Sequence, residues 1–237
     1  MNETNLQNLE TVANALGEIL NRVVFVGGAL VRSYATAAAA PQARPTLDVD
    51  CIIEIASYGD YGKLEEDLRR RGFRHDQTEG GPICRWICEG IQTDVMPTTG
   101  TILGFSNRWH AKGFKHTNEI ALPRGQKIKI LEPPYFLASK LEAVKDRGWK
   151  HLRTSPDFED VVYILRNRDS IHSEVQEAAE IVRTFICETF IELLRKQDVD
   201  EAIASVLDFG EPPGTSQLIR RLMESISEVA NKRSNKR

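Results

Sequence analysis

One stretch, residues 23–50, constrains this chain more than any other. Val23-Val24-Phe25-Val26 is a short apolar run that stops at Gly27-Gly28. A strand ending on two glycines lets the backbone approach a neighbour closely, and leaves free N–H groups at the start of the next segment. After an Ala- and Pro-rich connector comes Arg44-Pro45-Thr46-Leu47-Asp48-Val49-Asp50-Cys51-Ile52-Ile53, a second strand. Its period of two puts Asp48 and Asp50 on one face, and Val49, Cys51 and Ile53 on the other. Two carboxylates side by side on an apolar strand repel each other and lose solvation. A divalent cation removes both penalties. Oxygen-only donors at this spacing suit Mg²⁺, which keeps waters and shares its shell with substrate phosphates.

The rest of the chain supplies a frame for that pair. Leu6, Leu9, Val12, Ala13, Leu16, Ile19 and Leu20 recur at three and four, which predicts an amphipathic helix before the first strand. Residues 29–34 can form a short helix whose start points back at the glycines, and residues 63–71 read as a charged surface helix closed by Gly72. Residues 83–89 and 91–96 read as two strands meeting at Glu89-Gly90, a hairpin whose second arm carries Asp94. Residues 98–113 read as irregular, and residues 118–122 and 127–131 as two more strands. Pro133-Pro134 closes the strand-rich part. Beyond it the spacing turns helical: residues 134–147, a helix from Ser155-Pro156-Asp157 to about residue 165, a long one from a Ser173/Gln176 capping box to residue 196, and two more over 198–207 and 216–230. The expected class is α+β, with a mixed-sheet domain over residues 1–132 and an all-helical region over residues 133–237.

Composition narrows the function. A net charge of −3 gives no global attraction to nucleic acid, so any such contact needs a local basic patch. Trp109, His110, Lys112, Lys115 and His116 form one candidate for an RNA backbone, and the basic tail from Asn231 to Arg237 another. The four cysteines lack Cys-x-x-Cys spacing and read as buried thiols in a reducing cytoplasm. No apolar run approaches the ~20 residues that span a bilayer, and no signal peptide is visible, so a cytoplasmic protein without membrane contact is expected.

Three carboxylates on neighbouring strands beside a Gly-Gly turn describe a two-metal phosphoryl-transfer site. Gly27 and Gly28 would hold the terminal phosphates of a nucleotide. Asp48, Asp50 and Asp94 would hold two Mg²⁺ ions, with Asp94 also helping to deprotonate the attacking hydroxyl. The sequence has no Gly-x-x-x-x-Gly-Lys-Ser/Thr loop and no Gly-x-Gly-x-x-Gly, which favours nucleotidyl transfer over kinase chemistry.

Gly27-Gly28, the Arg-x-Thr-x-Asp-x-Asp run from Arg44 through Thr46 to Asp50, and the later Asp94 resemble the nucleotidyltransferase superfamily of the DNA polymerase beta type. Lys140-Leu141-Glu142-Ala143-Val144-Lys145-Asp146-Arg147 is similar to the Lys-x-x-Ala-x-x-x-Arg motif of AbiEii-like nucleotidyltransferases, and Asp157-Phe158-Glu159-Asp160 to the Asp-x-x-Asp motif that follows it there. The ordered motifs cover roughly residues 23–165. The resemblance implies a nucleotidyltransferase-type sheet domain with flanking helices and a helical C-terminal region. It implies Mg²⁺-dependent transfer of a nucleoside monophosphate from a nucleoside triphosphate such as ATP, with pyrophosphate leaving. It implies that Lys140 contacts the triphosphate, that Asp157 and Asp160 orient Lys140 or the base, and that Arg44, Thr46 and Arg147 serve the nucleotide. An RNA acceptor, above all tRNA, and a toxin paired with an antitoxin protein belong to the same resemblance. Two other functions stay open: the same chemistry on a small hydroxyl compound or protein side chain, and a non-catalytic nucleotide-binding module. The connector between Gly28 and Asp48 is longer than the family's usual interval.

Overall fold

In the computed structural model, residues 3–98, 100–103, 107–147, 149, 151–207 and 210–234 are described. They form two compact units: one of residues 1–33 and 41–132, the other of residues 34–40 and 133–237.

The first unit is an α+β arrangement around a mixed seven-stranded sheet. Its elements are α1 (Glu3–Leu16), β1 (Val23–Val26), β2 (Asp48–Ile53), α2 (Tyr58–Arg70), β3 (Arg74–His75), β4 (Arg85–Cys88), β5 (Ile91–Pro97), α3 (Gly100–Leu103), α4 (Arg108–Gly113), β6 (Thr117–Ala121) and β7 (Lys127–Leu131). The strand order is β3-β4-β5-β2-β1-β7-β6. β2 runs parallel to β5 and β1 parallel to β7; the other pairs are antiparallel. The three central strands, β5, β2 and β1, carry much of the core. Val23, Phe25, Val49, Cys51, Ile52, Ile53 and Val95 are fully buried, the pattern of strands covered by neighbours on both sides. α1 buries Leu9, Val12, Ala13 and Leu16, the spacing that predicted it. α2 starts earlier than the expected residue 63, because the Ser57 hydroxyl caps it by accepting from the Asp60 N–H at 3.2 Å. Residues 28–34 form a 3₁₀ segment rather than an α-helix.

The second unit contains, among its described residues, helices and no strand: α5 (Pro133–Asp146), α6 (Pro156–Asn167), α7 (Ile171–Glu177), α8 (Glu180–Leu194), α9 (Val199–Ser205) and α10 (Thr215–Ser234). α6 begins as its sequence dictates, with the Ser155 hydroxyl accepting from the Phe158 N–H and Pro156 in the first turn. The long helix expected over residues 173–196 is two helices. Ala178 and Ala179 are extended, with ψ of 158° and 141°. The carbonyls exposed by the break accept from Arg183 Nη1, at 3.0 Å from Gln176 O and 3.1 Å from Ala178 O. Ser173 caps nothing at a helix start; its hydroxyl donates to Ser170 O. Residues 34–40, expected with the sheet domain, pack with the helices. Tyr34 stacks on Phe136, Thr36 and Ala37 donate to Asn167 O, and Arg168 donates to Tyr34 O.

Among the described residues no helix is long and apolar enough to cross a membrane. The last three residues of the basic tail lie outside the described residues.

Candidate functional site

Strand order alone assembles the candidate site. Because β1 is antiparallel to β2, the end of β1 lies beside the start of β2, with Val26 opposite Asp50. Because β2 is parallel to β5, Asp50 lies opposite Asp94 and Asp48 opposite Gln92. Neighbouring strands stand about 4.8 Å apart, and paired residues project to the same face. The sheet therefore carries Asp48, Asp50 and Asp94 on one face at the strand end where Gly27-Gly28 leaves β1. Asp48 and Asp50 are partly exposed, while Asp94 is 8 % exposed.

The diglycine turn is tight against these residues. Gly27 has φ of +80°, in the left-handed region that glycine tolerates. A Cβ at Gly27 would stand 1.9 Å from Asp50 Oδ2, so the carboxylate occupies the space a side chain would need. A Cβ at Gly28 would stand 2.7 Å from Arg44 Nη2 and 2.9 Å from Thr46 Cγ2. Arg44 and Thr46 thus line the same turn. The segment carrying them is stitched to α1 by Asn5, which is 1 % exposed. Its Nδ2 donates to Arg44 O at 3.1 Å, and its Oδ1 accepts from Thr46 N–H at 2.9 Å. The Thr46 hydroxyl then donates to Asp48 O at 3.2 Å.

Asp94 has a partner that the sequence pattern did not single out. Glu89 and Gly90 both have positive φ, 50° and 85°, and close a two-residue hairpin between β4 and β5. That turn fixes the register and sets Arg85 directly opposite Asp94. Arg85 Nε and Nη2 donate to Asp94 Oδ1 and Oδ2, each at 2.8 Å, a bidentate charge-assisted pair. This bond, with the charges of Asp48 and Asp50 nearby, raises the Arg85 guanidinium above its usual pKa despite its partial burial. The hairpin register was within reach of the sequence, since counting back from Glu89-Gly90 pairs Arg85 with Asp94.

The donor set fits a hard cation in part. Asp48 and Asp50 are oxygen-only donors, two residues apart and partly open, which suits Mg²⁺. Asp94 in its present contact does not fit, because both its oxygens accept from Arg85. Among the described residues no group of three or more His, Cys, Asp and Glu side chains stands together as a metal-holding set.

The cysteines supply no nucleophile. All four are buried free thiols. Burial, with the charges of Asp50 and Asp94, raises Cys51, and burial with Asp94 pushes Cys84 up to about 12.

The second unit holds its own ionic cluster. Lys140 in α5 is 7 % exposed, and its ammonium lies 3.1 Å from Asp157 Oδ1 and 2.7 Å from Asp160 Oδ2 in α6. Arg147 pairs with the other oxygen of Asp157. Lys140 lies within α5 and Arg147 directly after its end, while Asp157 and Asp160, three apart, share a side of α6.

In the cluster expected to meet RNA, Trp109 does not offer its ring. It is 1 % exposed, at the start of an α4 that Asn107 caps, and so is closed to base stacking. Lys112 and Lys115 are exposed, and His116 lies 3.7 Å from Glu132.

No protein-family model matches the sequence, and no curated protein matches it.

Proposed function

We propose that the chain is a nucleotidyltransferase of the AbiEii-like kind that its motifs resemble, acting on a nucleoside triphosphate at the carboxylate face of the sheet unit. The observation that carries this reading is the joint placement of Asp48, Asp50 and Asp94 with the turn that glycine alone can make there. In this reading Asp48 and Asp50 hold the divalent cation, which supplies positive charge to the phosphates when bound. Gly27 and Gly28 keep the backbone low enough for a triphosphate to approach, and Arg44 and Thr46 flank that approach. The acceptor's hydroxyl oxygen bonds to the α-phosphorus. The bond from that phosphorus to the bridging oxygen breaks, pyrophosphate leaves with the electron pair, and the hydroxyl proton passes to a site carboxylate.

RNA, above all tRNA, is the acceptor in the leading reading, as for a toxin held in check by an antitoxin. The burial of Trp109 removes one aromatic platform for RNA and favours, as a second reading, a small hydroxyl compound or a protein side chain. Incubation with each nucleoside triphosphate labelled at the α-phosphate, Mg²⁺ and total RNA separates the two. Label in RNA supports the first; label in protein or a small molecule supports the second. No transfer from any nucleotide to any acceptor, with the protein folded, would overturn both.

A further inference from the structure

Arg85 takes both oxygens of Asp94, the carboxylate that a second metal ion would need. Two-metal sites use the third carboxylate as a ligand of the ion beside the attacking oxygen. Here both oxygens of that carboxylate, on Asp94, accept from one guanidinium at 2.8 Å. The arrangement is built into the sheet. Arg85 and Asp94 are direct partners across β4 and β5, the Glu89-Gly90 turn fixes their register, and both are substantially enclosed, at 24 % and 11 % side-chain exposure. A Mg²⁺ ion on Asp94 would need an oxygen at about 2.0–2.1 Å and would place two charges beside a guanidinium that cannot lose its own. The fork uses two of the five N–H donors of Arg85 and leaves three for other groups.

Resting on the reading proposed above, we propose that Arg85 stands in for the second cation. The face binds a single divalent ion, on Asp48 and Asp50, and Arg85 fixes Asp94 while carrying the positive charge at the third carboxylate. Arg85 is a positioning residue in this account, acting through Asp94.

The test counts ions. Mn²⁺ is titrated into the full chain, saturated with a non-hydrolysable nucleoside triphosphate, and followed by equilibrium dialysis and electron paramagnetic resonance. The account predicts one Mn²⁺ per wild-type chain with no coupled-pair signal, and two coupled ions in Arg85→Ala, where Asp94 is released. Two ions in the wild type, or one in both proteins, would overturn the inference and leave the proposed function standing. No bound ion in either folded protein would overturn the proposed function itself. Should Arg85→Ala fail to fold, Asp94→Asn decides. Retention of the single ion with less than about a 10-fold change in affinity is expected, and a loss of about 100-fold or more would make Asp94 a ligand and refute the proposal.

Discussion

The two units each hold a cluster of opposite charges, and the clusters differ in exposure. In the helical unit, Asp157 and Asp160 meet Lys140 and Arg147, two negative charges against two positive. The three residues at its centre are nearly sealed from solvent, at 6 %, 1 % and 7 % exposure for Asp157, Asp160 and Lys140. In the sheet unit, Arg85 pairs with Asp94, Arg44 lies against the diglycine turn, and Asp48 and Asp50 stay partly open. Breaking a buried set of paired charges leaves an enclosed charge short of a partner and is felt as instability. An open cluster held in place by the fold keeps its oxygens within reach of a ligand, and its removal is expected to be felt as lost function. The contrast separates what a motif does for the fold from what it does for chemistry.

Substitutions that break each cluster sharpen this difference. The largest effect on stability is expected for Asp160→Ala, which leaves the enclosed Lys140 ammonium short of a partner; about 3–5 kcal/mol should be lost in a denaturant titration. Asp48→Ala should do the reverse, lowering nucleotide transfer about a thousandfold, roughly 4 kcal/mol on the barrier, with a denaturation midpoint close to wild type. If the two variants exchanged behaviours, the assignment of one cluster to stability and the other to chemistry would be wrong. Asn5→Ala should fall between them. It strands the Thr46 N–H and the Arg44 carbonyl and costs about 1–3 kcal/mol. Transfer should weaken as well, because the loop before β2 loses its anchor on α1. The smallest effect concerns the thiols. Native protein at pH 8 should react negligibly with a thiol reagent, since all four cysteines are buried and Cys84 is raised to about 12. All four should react after denaturation, and a fast native thiol would mean that the sheet opens more readily than its packing indicates.

Much of the carboxylate face is legible in the sequence, because its signals are local. Period-two alternation puts Asp48 and Asp50 together, and the two glycines mark a close approach. The Glu89-Gly90 turn locates the hairpin that carries Asp94. The illegible part depends on pairings between distant segments. The parallel pairing of β2 with β5 brings Asp50 to Asp94 across more than forty residues. Asn5 reaches Arg44 and Thr46 from the first helix, a link with no periodic signature. Arg85 is the middle case. Its register follows from the turn, but its role follows only when the side chains are placed. The break between α7 and α8 is hidden for another reason. Alanine is the best helix former, so Ala178-Ala179 gives no warning, and the extended backbone there is supported by Arg183 reaching back to the carbonyls it exposes. Trp109 misleads because an aromatic in a basic stretch looks the same whether it faces a base or the core.

The central claim is that the open cluster on the sheet is a cation site for a bound nucleotide. Anomalous diffraction from crystals grown with Mn²⁺ and a non-hydrolysable nucleoside triphosphate tests it most directly. The account predicts a Mn²⁺ peak bridging the carboxylates of Asp48 and Asp50, with the triphosphate against Gly27 and Gly28. Nucleotide and metal bound elsewhere, with that face empty, would contradict it.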